Sequence, residues 1–198
     1  KYKSASVGNV HLVQDGDVID VGRYCLRCVS TPGHAPNHMC LYEAWQGILF
    51  SGDHILGTVT PNNTLWDQPW TATRDLLQEY LDSLTKIERL DIKITLPAHR
   101  AIIRDCYRRI RQLREHHQRR LQDILNILGS GKAYGVEVAS KMRWDMRGRS
   151  WEEFSPAQKI FATGEALSHL THLVLQGVLV RELIKGRVYY KRAECSKP

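Results

Sequence analysis

Three short apolar runs in this chain each stop at a turn that delivers a potential metal ligand, and no other feature restricts the fold as much. Tyr24-Cys25-Leu26-Arg27-Cys28-Val29 has the β-branched and aromatic content of a strand, and Pro32-Gly33 breaks it just before His34. Gly47-Ile48-Leu49-Phe50 stops at Ser51-Gly52, and Asp53 is the first ionisable group beyond. Ile92-Lys93-Ile94-Thr95-Leu96 stops at Pro97-Ala98, and His99 follows. A side chain at a strand end can face a cleft. Two imidazoles and a carboxylate suit a divalent cation of borderline softness such as Zn²⁺. Taken singly, each residue also has a plainer role: a histidine after a turn is commonly solvated or capping, and an Asp after Ser-Gly commonly forms the turn itself. The residues alone leave both roles open.

Thr31-Pro32-Gly33-His34-Ala35-Pro36-Asn37-His38, Leu49-Phe50-Ser51-Gly52-Asp53-His54-Ile55-Leu56 and Leu96-Pro97-Ala98-His99-Arg100 resemble, in order and interval, the third, fourth and fifth motifs of the metallo-β-lactamase-fold hydrolases. Thr58-Val59-Thr60-Pro61-Asn62 and the continuation are similar to a branch in which a winged-helix domain follows the hydrolase domain, as in the beta-lactamase-like endoribonuclease group. The resemblance implies an α/β fold: the second half of a metallo-β-lactamase αββα sandwich, then a mostly helical winged-helix domain. It implies that His34 binds a first metal, His99 a second, and Asp53 bridges both as the catalytic carboxylate. The implied cofactors are two divalent metals, Zn or alternatively Fe or Mn. The implied function is hydrolysis by metal-activated hydroxide of an ester, thioester or phosphodiester. His38 either supports a ligand from behind or packs as a strand-end histidine. Asn37 and Ala98 stand where the family usually has Gly, so an unstrained φ is required at Ala98.

The family's first metal motif, His-x-His-x-Asp-His, has no counterpart upstream of His34, where the one histidine is His11. The chain also opens on Lys1. It is therefore expected to be the C-terminal part of a longer hydrolase, with an incomplete metal site and no activity alone. The expected divisions are residues 1–101 as the C-terminal half of the hydrolase domain, 102–128 as a linking helix and 129–198 as the winged-helix-like domain. A half-sandwich would bare an apolar sheet face, so a homo-oligomer is expected.

Charge is unevenly spread. Residues 1–99 carry eight Lys/Arg against eleven Asp/Glu, whereas residues 100–198 carry twenty against ten, within a total of +7. A basic second half suits an RNA or DNA partner, or equally a solvated helix surface. A winged-helix module that binds nucleic acid beside a vestigial metal site is thus the alternative function. Five cysteines at irregular spacing point to a reducing, cytoplasmic compartment rather than a disulfide framework. Cys25 and Cys28 have CxxC spacing without a second pair, and an i, i+3 pair on a strand points to opposite faces. No apolar run reaches the roughly 18 residues of a membrane span.

The segment from Gly57 to Trp70 lacks any period and reads as a loop, a substrate wall or lid in which Trp66 and Trp70 either meet substrate or cover the core. Leu76, Leu77, Tyr80, Leu81, Leu84 and Ile87 make a helical stripe capped by Thr71 or Thr73. A second helix runs from about Ile103 to Leu128, burying Tyr107, Ile110, Leu113, His117, Leu121, Ile124 and Leu128, with Arg104, Arg108, Arg111 and Arg119 opposite. A short helix follows over 133–142. Ser155-Pro156 opens another that buries Ile160, Phe161, Leu167, Leu170 and Val174 and ends at Gly177. A hairpin around Lys185-Gly186 closes the chain, and its Arg181, Lys185, Arg187, Lys191 and Arg192 either contact nucleic acid or decorate a dimer platform or cleft wall.

Overall fold

The computed structural model describes residues 8–64, 74–145 and 150–194. Strands β1 (Val18–Val21), β2 (Tyr24–Ser30), β3 (Met39–Glu43), β4 (Ile48–Gly52) and β5 (Ile94–Pro97) form one sheet in that spatial order. The first four are an antiparallel meander, and β5 joins β4 in parallel after a crossover through helix α1 (Leu76–Glu88). Strands β2, β4 and β5 therefore run the same way, and their C-terminal ends share one edge of the sheet. That is how three distant stretches reach one place.

Alternation along the strands sorts the sheet's two faces. Cys40, Tyr42 and Leu49 point to a core shared with Tyr80, Leu84 and Ile87 of α1 and with Cys106, Ile110 and Leu113 of helix α2 (Cys106–Leu128). On the opposite face Leu41, Phe50 and Leu96 are cross-strand neighbours, as are Ile48 and Ile94, and Phe50 is left exposed. One sheet with helices on one side and a partly bare apolar face on the other is an α/β arrangement. Cys25 is exposed and Cys28 buried, so the CxxC pair does point to opposite faces.

The second core forms where α2 continues past the sheet. Ile124 and Leu128 meet Val138 of helix α3 (Gly135–Lys141), Ala166 and Leu170 of helix α4 (Pro156–Leu175), and Leu179 and Tyr190 of strands β7 (Leu179–Ile184) and β8 (Arg187–Arg192). A three-residue strand, β6 (Lys132–Tyr134), pairs with the far side of β8. It occupies what the sequence suggested was the start of the short helix. Lys185 and Gly186 both take positive φ, which a two-residue hairpin turn requires.

Several expectations are corrected. The α1 cap is Asp75, whose carboxylate accepts from Gln78 N at 3.0 Å, while Thr71 and Thr73 lie outside the described residues, as do Trp66 and Trp70. Helix α2 starts at Cys106 behind the Asp105 cap, because Ile103 instead bridges Thr95 at the edge of β5. Ser155 and Gln158 do form a reciprocal capping box on α4. Ile160 and Phe161, however, are 59% and 47% exposed, and the buried face of α4 is Ala162, Glu165, Ala166, His169, Leu170 and Leu173. The helix is rotated because it must serve two cores at once. A Cβ at Gly164 would overlap the Thr64 methyl, so α4 lies directly on the loop that precedes α1.

Candidate metal centre

His34 lies in the loop that leaves β2. Gly33 ahead of it has φ +136°, and a Cβ there would sit 2.5 Å from Tyr80 Cβ and 2.6 Å from Tyr80 Cα. Only glycine lets the chain pass so close to α1. Asp53 follows Gly52, where the β4–β5 ladder shifts register and the backbone turns left-handed at φ +52°. A Cβ on Gly52 would lie 2.6 Å from His38 Nε2, so the glycine makes room for that imidazole beneath the turn. The Ala98 amide donates to the Gly52 carbonyl at 2.9 Å, tying the ends of β4 and β5 together and carrying His99 to Asp53. Among the described non-glycine residues only Arg100 and Lys185 have positive φ, so Ala98 is unstrained.

The two imidazoles each approach the Asp53 carboxylate. His34 Nε2 is 3.9 Å from Asp53 Oδ2, and His99 Nε2 is 3.5 Å from Asp53 Oδ1. Each imidazole thus faces a different oxygen of one carboxylate. Among the described residues no three of His, Cys, Asp and Glu form a group able to hold a metal ion on their own. His34 and His99 each approach Asp53, and the three do not close into a single cage.

The residues present fit cations shared across Asp53. Asp53 Oδ1 is buried and accepts no hydrogen bond, an arrangement that costs free energy unless something positive meets the oxygen. The Nδ1–H of His34 donates to the Asn62 carbonyl at 2.8 Å, which fixes the tautomer and leaves the Nε2 lone pair directed toward Asp53. Asn62 could not be picked out by residue type, because it acts through a backbone carbonyl that any residue carries.

His38 is not aimed at that carboxylate. Its Nδ1 lies 2.8 Å from Thr31 Oγ1, and burial holds its pKa below the ordinary histidine value, with His34 adding to the effect and Asp53 opposing it. His54, next to Asp53 in sequence, turns inward against Tyr80 and is wholly buried, and burial drives its pKa down to about 3. An open cleft lined by Ala35, Pro36, Asn37, His38 and Arg74, with a volume of about 550 Å³, adjoins these residues.

A second polar cluster, not foreseen from the sequence, joins the two cores. The Nδ1–H of His169 donates to the Glu165 carbonyl at 2.8 Å, so its Nε2 must accept, and His117 Nδ1–H supplies the proton at 3.0 Å. Arg120 Nε is 3.0 Å from Glu165 Oε1 and donates to His116 Nε2 at 2.8 Å. His172 Nδ1 reaches the Asp75 carboxylate at 2.9 Å, tying α4 to the cap of α1. The available signal was Glu165, His169 and His172 at helical spacing, a polar stripe in an apolar helix.

Burial holds His117 well below the ordinary histidine pKa and brings His169 down to about 4. The unfolded chain binds these protons first, so the stabilisation is complete above about pH 6.5 and is lost as pH falls toward 4. His169 alone accounts for roughly 3 kcal/mol over that window. Thermal melts are expected to fall steeply from pH 6.5 to 4 and to fall less steeply in His169→Gln, where buried His117 and His54 still contribute. A wild-type melt independent of pH across that range would contradict neutral burial.

The basic hairpin is largely engaged within the protein. Lys191 Nζ pairs with Glu182 at 2.5 Å, Arg187 lies over the Tyr134 ring, and Arg192 donates to the Gly129 and Leu125 carbonyls at the end of α2. Arg181 and Lys185 complete the set on β7 and the turn.

Comparison with known proteins agrees with this architecture. Residues 3–99 match the metallo-beta-lactamase superfamily, and residues 152–193 match the metallo-beta-lactamase-like C-terminal domain. The chain is 32% identical over 134 residues to the lactamase-like protein aptB of Emericella nidulans, covering 68% of this chain and 40% of that protein. It is 34% identical over 124 residues to an atrochrysone carboxyl ACP thioesterase of Aspergillus fumigatus, covering 63% and 36%. A beta-lactamase domain protein from Burkholderia ambifaria superposes with a TM-score of 0.85 at 33% identity, over 96% of this chain and 54% of that one. A metallo-beta-lactamase family protein from Thermus thermophilus does so at 0.77 and 30% identity, over 93% and 55%. The chain thus spans about half the length of these solved relatives and 40% or less of the two curated ones. Motif order, the pairing of His34 and His99 with Asp53, and these matches together support a metallo-beta-lactamase superfamily domain over residues 3–99, with residues 152–193 similar to the C-terminal domain of metallo-beta-lactamase-like proteins.

Proposed function

We propose that this chain supplies the second half of a dinuclear metallohydrolase centre acting on an acyl ester or thioester. The pairing of each Asp53 oxygen with a different imidazole carries this reading, because a bridging carboxylate needs that geometry. Divalent cations bound there would lower the pKa of water and polarise a scissile carbonyl. Asp53 would hold the separation between them, His34 would be oriented by the Asn62 carbonyl, and His99 would close the far side. Zinc suits the imidazole and carboxylate donors, and iron or manganese are the alternatives. The remaining ligands would come from residues outside this chain, so the isolated 198-residue chain would be inactive. The thioesterase among its relatives supports acyl chemistry over phosphodiester chemistry.

The winged-helix reading of the C-terminal part is supported by the order α2, α3, α4 and hairpin, and the basic second half keeps nucleic acid as the competing function. One panel separates the two. The intact protein, loaded with zinc, is expected to cleave acyl thioesters and esters, to lose that activity to a chelator and to regain it with added metal. If it cleaves no acyl substrate and instead retains single-stranded RNA with an affinity falling steeply with salt, the proposal fails.

The bare sheet face of Leu41, Ile48, Phe50 and Leu96 supports self-association when this chain is isolated. Light scattering is expected to report dimers or larger species, and a monodisperse monomer at high concentration would contradict it.

A further inference from the structure

Between α4 and the loop before α1 lies a cavity of about 180 Å³. Its walls include Trp144, Phe154, Phe161 and Ala162, with Asn62, Gln158 and Glu165 as the polar lining. Phe154 and Ala162 are buried, whereas Phe161 is about half exposed at the rim. An apolar cavity of roughly 150 Å³ is enough to take up a benzene molecule. This one is somewhat larger and, unlike a sealed core void, opens to solvent past Phe161.

Its position gives it a role. Asn62 lines the cavity, and the same residue's carbonyl holds His34 at 2.8 Å. Asn62 is itself braced by Thr64, whose hydroxyl donates to the Asn62 side-chain oxygen at 2.5 Å. Thr64 in turn is pressed against Gly164 of α4. A group seated among Phe154, Phe161 and Ala162 is thus one residue away from the metal-facing imidazole, on a loop that α4 fixes in place.

We propose that this cavity, formed by the C-terminal helix and not by the metal-bearing sheet, binds the apolar acyl or aryl portion of the substrate and sets its size. The chemical class is an aromatic ring or a short acyl chain, joined to the ester or thioester carbonyl. The aromatic walls favour a flat ring, since ring pairs gain beyond area burial alone. This assignment rests on the acyl-hydrolase reading, and it gives the C-terminal domain a direct part in substrate choice.

Two measurements test it, and they fail independently of each other. Toluene titrated into the Asp53→Ala protein probes the cavity without chemistry: the Ala162 methyl and Asn62 amide NMR signals are expected to shift saturably. Ala162→Phe fills the space and should abolish the Asn62 shift, the methyl probe being replaced in that variant. Phe161→Ser, at a half-exposed position, should weaken the Ala162 and Asn62 shifts at least tenfold while the melting temperature stays near that of the parent. In the zinc-loaded intact protein, Ala162→Phe is expected to lower kcat/KM for a phenylacetyl thioester at least tenfold more than for an acetyl thioester, mainly through KM. No saturable shift in the parent protein overturns the cavity as a binding site. Shifts with an unchanged phenylacetyl-to-acetyl ratio overturn its role in substrate choice. Absence of thioester cleavage in every variant would overturn the hydrolase reading and the substrate role with it, and the toluene titration would still decide whether the cavity binds apolar groups.

Discussion

Asp53→Ala in the intact protein is expected to remove hydrolysis by a factor of at least ~10³ and to lower bound metal in the same preparation. On the proposed reading, loss of a carboxylate that would serve two cations would remove several kcal/mol of charge stabilisation, and each 1.36 kcal/mol is tenfold in rate. Two features of this chain make the loss hard to replace. Asp53 is the only acidic group that both His34 and His99 approach within 4 Å among the described residues, at 3.9 and 3.5 Å. Its Oδ1 is buried without a donor, so no hydrogen-bonded neighbour stands ready to substitute. Metal analysis and turnover should fall together, and the fold should survive, because the carboxylate sits at a turn and not in the core. Near-normal turnover with full metal content would remove Asp53 from the centre.

Gly33→Ala should give the largest loss of stability of any single methyl addition near the site. The added Cβ would stand 2.5 Å from Tyr80 Cβ and 2.6 Å from its Cα, and neither atom can move without shifting α1. Tyr80 is wholly buried, and its hydroxyl donates to the His54 carbonyl at 3.0 Å, so the helix and the turn after Asp53 would be disturbed together. Overpacking and a left-handed φ on a residue with a side chain each cost about 1–3 kcal/mol, for a total of roughly 4. For a chain of this size that is a fall of about 8–16 °C in Tm. Differential scanning calorimetry decides it. A melt within a degree or two of wild type would mean that the loop at Gly33 is not held against α1 as described.

The site was legible in the sequence where local chemistry controls the backbone. Pro32-Gly33 and Ser51-Gly52 end their strands whatever surrounds them, and Ser155-Pro156 starts a helix on its own terms. Parallel pairing of β4 with β5 then does the rest, because strands running the same way end on the same edge. What escaped depends on tertiary packing. Helix α4 turns Ile160 and Phe161 outward because its small and polar face, Ala162, Gly164, Glu165 and His169, is gripped from two sides. An apolar stripe read against a single core points the wrong way in such a helix. Strand β6 was hidden because three residues exist as a strand only through pairing with β8. Asn62 was hidden because its contribution to His34 is a carbonyl.

The most direct measurement is zinc-edge anomalous diffraction from crystals of the zinc-loaded intact protein. Two peaks are expected, roughly 3.5–4 Å apart, one shared by Asp53 Oδ2 and His34 Nε2 and the other by Asp53 Oδ1 and His99 Nε2. A single ion held by residues other than these, or no peak within bonding distance of Asp53, would contradict the account.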